Sequence, residues 1–148
     1  MCYMTMVSTT SERDLREFNT AYVQFARKLP EPPEASCLRY GNKWHLVSRQ
    51  GCSCGFRHLD QGNADLGFSP PVEWWPEENE DIEATLQAVS AFKAILGDGS
   101  KLDCIDSWER APESEPKLCG ELIVDLATLP NVSFRFLEGY RLEITRES

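Results

Sequence analysis

What the sequence lacks narrows its chemistry first. No GxSxG elbow, no Walker glycine loop and no dinucleotide-binding glycine pattern occurs in it, so serine-elbow hydrolysis and the common nucleotide-binding modes have no carrier. Basic residues are few: 15 Lys and Arg stand against 24 Asp and Glu, for a net charge of −9. That balance repels phosphate backbones and removes the electrostatic term that drives most nucleic-acid binding, so a basic protein is the expected complement rather than a nucleic acid. Long apolar runs are absent as well, and none of those present is long enough for a bilayer. The opening MCYMTMVSTT has neither a basic residue nor an extended apolar stretch, unlike a secretory signal, so a cytoplasmic location is expected. In that reducing compartment the six cysteines form no structural disulfides and stay free unless they are catalytic or bind metal.

What is present describes an ordinary packed chain. The 148 residues suit a single α+β domain over 1–148, which buries about two-thirds of the surface its unfolded form exposes. No cofactor is required for such a fold. An apolar share of 41%, four tryptophans and 26% charged residues fit a solid core, with no internal repeat and no low-complexity tract.

Periodicity then predicts the elements. Residues 2–8 alternate as a first strand, rich in β-branched and aromatic residues. Ser11, with Asp14 three residues on, caps an expected helix over about 11–29, because Leu15, Phe18, Tyr22, Phe25 and Leu29 recur at helical spacing. Pro30 ends it. Cys37 to Tyr40 and Trp44 to Gln50 read as a hairpin around the turn GNK. Residues 60–78 hold prolines and glycines without a period, which predicts a long ordered loop. A second helix covers 79–96 with Ile82, Leu86, Val89, Phe92 and Leu96 on one face, stopped by GDG. Five acids, Glu77, Glu78, Glu80, Asp81 and Glu83, gather at its beginning, where the helix dipole favours them.

Lys101 to Trp108 and Leu118 to Leu126 read as strands, with the loop APESEP between them. Residues 130–138 fit either a strand or a short helix, and the proline at the start and Gly139 at the end favour the helix. Tyr140, Leu142 and Ile144 close the chain as a strand. The order βαββαββαβ implies two main helices packed on a mixed or antiparallel sheet of five to six strands.

The chemistry concentrates in GCSCGFRH, residues 51–58. Cys52 and Cys54 stand one residue apart between two glycines, with His58 beyond. In a fully extended segment Cys54 and His58 are roughly 13 Å apart, whereas two ligands of one zinc ion bring their donor atoms within about 4 Å of each other. A shared ion therefore demands a bend at Gly55, which glycine permits. The single-residue gap departs from the usual paired-cysteine spacing of structural zinc sites, so further ligands for zinc or iron have to come from Cys104 first, or from Cys37, Cys2 or His45. A redox pair is the other thiol reading: a bridge between positions two apart is strained and easily reduced, and Arg57 and His58 favour a thiolate. An inert buried turn is the plainest reading of all.

Two other stretches carry weight. Removal of Met1 frees the amine of Cys2 beside its own thiol, the logic of amidohydrolases with N-terminal nucleophiles; otherwise Cys2 is a strand residue facing the core. Asn63, Asp65 and Gly67 echo a calcium loop but lack its spacing, and read as turn formers. Trp74 and Trp75, adjacent on a loop, do not both enter one core easily, so at least one indole is a candidate anchor for a partner. The leading expectation is a non-catalytic binding or regulatory domain whose surface runs from Pro70 to Glu83, with Trp74, Trp75, Glu77 and Glu78 as contacts. The alternative is a thiol site at Cys52 and Cys54, with His58 and Cys104 as further ligands.

Overall fold

A computed structural model of the chain describes residues 2–49, 51–108 and 114–147. In chain order it has β1 (Tyr3–Thr9), β2 (Val23–Ala26), β3 (Asn42–Ser48), β4 (His58–Leu59), α1 (Asn79–Leu96), β5 (Leu102–Trp108), β6 (Gly120–Asp125), β7 (Phe136–Leu137) and β8 (Tyr140–Thr145), with short 3₁₀ turns between several of them. Six strands form one sheet in the order β2-β3-β1-β5-β8-β6, while β4 and β7 form a separate two-stranded pair. Within the large sheet β6 and β8 run parallel and the other neighbours antiparallel. The class is α+β, with one main helix on a mixed sheet.

The predicted helix over 11–29 is not formed. Leu15–Phe18 makes one 3₁₀ turn, and Val23–Ala26 becomes the edge strand β2, paired with β3. The cause is local competition for backbone donors. Asn19 Oδ1 accepts the N–H of Phe25, and Thr20 Oγ1 accepts those of Tyr22 and Val23, so hydrogens a helix needs are already bound to side chains. Strand pairing then buries Val23 and Phe25 on one face.

The predicted hairpin is also replaced. Pro33–Cys37 forms a 3₁₀ turn, and beyond it the N–H groups of Arg39 and Tyr40 donate to Asp103 Oδ2 and Ser8 Oγ rather than to a partner strand. Gln50, the expected end of that hairpin, lies outside the described residues, as do 111–113 of the APESEP loop. Over 130–138, where a helix was favoured, only Asn131–Ser133 turns and Phe136–Leu137 is extended as β7.

The helix α1 matches its predicted bounds, but its buried face is rotated toward smaller residues. Ala84, Ala88, Val89, Ala91, Phe92 and Ile95 are buried against the sheet, and the alanines let the helix axis approach the strands closely. After α1, Gly99 turns the chain with φ +87, a left-handed conformation that glycine adopts without cost. The main core fills the space between α1 and the sheet, with Trp44, Phe92, Phe134, Phe136, Leu142 and Val7 fully or almost fully buried. A smaller cluster of Met6, Leu38 and Ile105 covers the opposite face.

Candidate functional site

The cysteine turn follows β3, and Ser48 shapes it. Gly51, at φ +80, reverses the chain. Ser48 then receives it on both sides: its N–H and hydroxyl donate to the Cys52 carbonyl oxygen at 2.8 and 2.7 Å, and its hydroxyl oxygen accepts the Gly55 N–H at 3.1 Å. A Cβ at residue 55 would lie 2.5 Å from Ser48 Oγ. Gly55 is therefore required for close approach, whereas the reversal itself belongs to Gly51 and the 3₁₀ turn Ser53–Gly55.

Ser53, fully buried between the two cysteines, docks this turn on the sheet. Its hydroxyl donates to the Leu46 carbonyl oxygen at 2.6 Å and accepts the Thr5 N–H at 3.0 Å. The docking point is the beginning of β1. Cys2 stands there, and the sulfurs of Cys2, Cys52 and Cys54 all lie within 4.8 Å of one another. The thiol of Cys54 is pushed up to about 12 by burial and by the neighbouring thiols of Cys52 and Cys2, against the Tyr3 N–H that donates to its sulfur. A neutral thiol at neutral pH is a poor nucleophile, and metal binding would have to displace its proton.

His58 does not join the three sulfurs. Its Nδ1 lies 2.6 Å from Asp106 Oδ2 and its Nε2 lies 2.6 Å from the Ser53 carbonyl oxygen. Both partners are acceptors, so both ring nitrogens donate and the ring is an imidazolium. Burial opposes that charge, but Asp106 outweighs it and raises the histidine above its ordinary range. The Tyr3 ring stacks on the imidazolium with centroids 3.9 Å apart and planes within 2°. Burial raises the Tyr3 phenol, and the charges of Asp106 and Glu138 add to the effect. His58 thus ties the carbonyl between Cys52 and Cys54 to β5.

Cys104, the first expected partner of the pair, is placed elsewhere. It sits in the main core opposite Val7 and Leu142, where burial raises its thiol well above the usual range. Cys37 packs on the smaller cluster behind the sheet, and His45 reaches Ser53 Oγ at 3.2 Å. Met1 lies outside the described residues.

The segment expected as a contact surface divides in two. Trp74 is 69% exposed, and Glu78 is exposed at the N-cap of α1. Glu77 turns inward. Its Oε1 accepts from Arg57 and Arg135 at 2.7 and 3.0 Å, and its Oε2 accepts the Arg57 Nε–H at 3.0 Å. Both guanidinium groups are fully buried. Burial opposes the Glu77 charge, yet the two arginines win and hold its carboxyl below the usual range. Glu77 is thus an anchor for the loop that carries Trp74 and has no free carboxylate oxygen for a partner. Arg57 was expected to favour a thiolate and instead pairs with Glu77; Arg135 was not anticipated, although the sequence carries a signal for this pairing: FRHL at 56–59 and FRFL at 134–137. These two tetrapeptides supply β4 and β7, which pair in parallel with His58 opposite Phe136, and both send their arginine to Glu77.

Trp75, Cys54, Tyr3, Phe56, His58 and Asp81 line a cleft of about 440 Å³. The two stretches singled out in the sequence therefore face each other across one concavity. Asp81 was read only as a helix-dipole acid. Its Oδ1 is buried with no hydrogen-bond partner among the described residues, and burial together with Glu78 raises its carboxyl.

Comparison of the chain with protein-family models, curated proteins and solved structures finds no match.

Proposed function

We propose that the chain is a thiolate metal-binding domain that holds one zinc ion through Cys2, Cys52 and Cys54. The observation that carries this reading is the convergence of three sulfurs from places about 50 residues apart in sequence to within 4.8 Å. Sulfur donors select soft or borderline ions, and zinc is the borderline ion that tolerates thiolates without redox chemistry. The pair of cysteines in the turn and the one just before β1 flank elements fixed by Ser48 and Ser53, so the donors are arranged before the ion arrives. The ion would draw the thiolate form out of thiols that burial keeps protonated, and binding would release protons. Six free thiols among the described residues suit a reducing compartment such as the cytoplasm. No catalytic role is assigned to any of them.

Titration of reduced, metal-free protein with Zn²⁺ against a chromophoric chelator tests the reading, with Co²⁺ as a second probe whose sulfur charge-transfer bands report thiolate ligands. One ion per chain, with protons released, is the expected result. A protein that leaves the chelator saturated at equimolar metal, or one whose binding survives Cys54→Ser unchanged, ends the proposal.

A second reading rests on Trp74. An indole exposed on a loop that is pinned by a buried carboxylate between two arginines is a rigid anchor, the kind of residue that dominates protein contacts. With a net charge of −9, a basic protein is the partner it fits.

A further inference from the structure

Resting on the zinc reading above, we infer that the sulfur trio is also an oxidation site, at which a peroxide closes a disulfide between Cys2 and Cys54 and the zinc ion is released.

Geometry selects the pair. The sulfurs of Cys2, Cys52 and Cys54 lie within 4.8 Å of one another, and sulfurs this close reach bonding distance mainly by side-chain rotation. A bridge between Cys52 and Cys54, two positions apart, closes a small strained ring. Cys2 is free of that constraint, because it reaches the turn from a distant part of the chain. Of the two turn cysteines, Cys54 has its sulfur against the backbone next to Cys2, where it accepts the Tyr3 N–H. Access is open as well. All three cysteines are partly exposed, and Cys54 lines the cleft of about 440 Å³. That cleft carries both signs of charge, Arg57 and the His58 imidazolium against Glu77, Glu78 and Asp81; hydrogen peroxide is small and uncharged, so neither sign bars it.

Sulfur ligands of zinc are thiolates, and the thiolate is the form that attacks a peroxide. One thiolate of the pair attacks a peroxide oxygen, the O–O bond breaks, hydroxide leaves and the sulfur becomes a sulfenic acid. The second thiolate attacks that sulfur, the S–O bond breaks and a second hydroxide leaves. Each sulfur gives up one electron and the peroxide takes up both. Cys52 alone then remains as a donor, fewer than the three protein ligands that even an open zinc site keeps. The disulfide joins the chain just before β1 to the cysteine turn, the same two places that the ion joins, so the fold stays tied there after the metal leaves.

The test treats the zinc-loaded full chain with hydrogen peroxide in the presence of a chromophoric chelator, in a Cys119→Ser background that removes an exposed competing thiol. One zinc ion released for every two thiols lost is the expected result. A non-reducing digest should contain the peptide of Cys2 joined to that of Cys54, and dithiothreitol should restore both thiols and zinc binding. Metal-free Cys52→Ser, oxidised to completion, should form the same bridge. Zinc retained after peroxide, thiols lost without a bridge, a bridge between any other pair, or no bridge in Cys52→Ser overturns the inference and leaves the zinc reading standing. Failure of the unoxidised protein to bind zinc removes both.

Discussion

The Nδ1 of His58 lies 2.6 Å from Oδ2 of Asp106, and this contact joins the cysteine turn to the centre of the sheet. Asp106 is held in turn by the Thr5 hydroxyl, which donates to Oδ1 at 2.8 Å. Strands β1 and β5 and the turn therefore share one polar joint, stacked under the Tyr3 ring. An imidazolium at the joint explains how two acceptors, a carboxylate and a carbonyl, sit on opposite sides of one ring.

The two histidines should titrate in opposite directions from 6.5. Burial alone acts on His45 and lowers it, whereas Asp106, with help from Asp81, raises His58 against its burial. The stability that His58 contributes is present below 6.5 and lost as pH rises through its raised folded value. His45 opposes folding as pH falls below 6.5, because the unfolded chain takes up its proton more readily. Long-range ¹H–¹⁵N spectra across pH 5–9 measure both midpoints, and a His58 midpoint at or below 6.5 would contradict the joint described above.

Ligand loss should be severe and local. Cys2→Ser, Cys52→Ser and Cys54→Ser should each weaken zinc binding by more than about 100-fold, beyond the 10–100-fold typical of outer-sphere changes. Cys37→Ser and Cys119→Ser should leave it unchanged, since neither sulfur belongs to the trio. His58→Ala, which releases the Ser53 carbonyl without touching a sulfur donor, should fall in that outer-sphere range of roughly 10–100-fold. Chelator competition at fixed pH ranks these variants, and equal affinity for wild type and Cys52→Ser would remove the trio from consideration.

Gly55→Ala should destabilise the chain by about 1–3 kcal/mol through overpacking, because the new methyl meets Ser48 Oγ at 2.5 Å and Ser48 Cβ at 2.8 Å. In a Ser48→Gly background the same substitution should cost much less. A double-mutant cycle by urea unfolding gives the coupling. Additive costs would mean that residues 48 and 55 do not meet.

Glu77→Gln should cost about 3–5 kcal/mol at neutral pH, the usual penalty for breaking a buried ion pair from one side. The sign of its pH dependence follows from the lowered carboxyl. Stability from Glu77 is fully present above 4.5, its ordinary value, and is lost as pH falls from there through the folded value. The glutamine variant should therefore lose less stability than the wild type between pH 6 and pH 3. Parallel acid profiles for the two proteins would show that Glu77 is not charged in the fold.

Trp74→Ala should change stability by no more than about 0.5 kcal/mol, as expected for an exposed side chain. If the loop docks a basic protein, that one substitution should abolish its capture while leaving zinc affinity intact. Undiminished capture would dispose of the second reading.

Local signals carried part of this structure. The helix over 79–96 was legible because its period, its acidic first turn and the GDG stop agree with one another. β1, β5, β6 and β8 fall within stretches that read as strands, three of them, β1, β6 and β8, by alternation. The segment over 11–29 was misread because Leu15, Phe18, Tyr22 and Phe25 satisfy a helical period by coincidence, while Asn19 and Thr20 bind the backbone hydrogens that decide the matter. Residues 37–40 have strand-like composition, but their N–H groups find Asp103 and Ser8, partners more than 30 residues away in sequence. The cysteine pair was visible at once; its third sulfur was one of several candidates, and the first of these was Cys104.

By itself the sequence determined the composition of the core, the acidic charge, the one long helix and the presence of two cysteines in a glycine-flanked turn, because each of these is set by neighbours a few residues apart. Tertiary structure alone decided which cysteine joins the pair, that His58 lies between Asp106 and the Ser53 carbonyl, and that Glu77 faces inward while Trp74 faces solvent. Those outcomes depend on which strands become neighbours, and strand pairing is a contest among contacts that lie far apart along the chain.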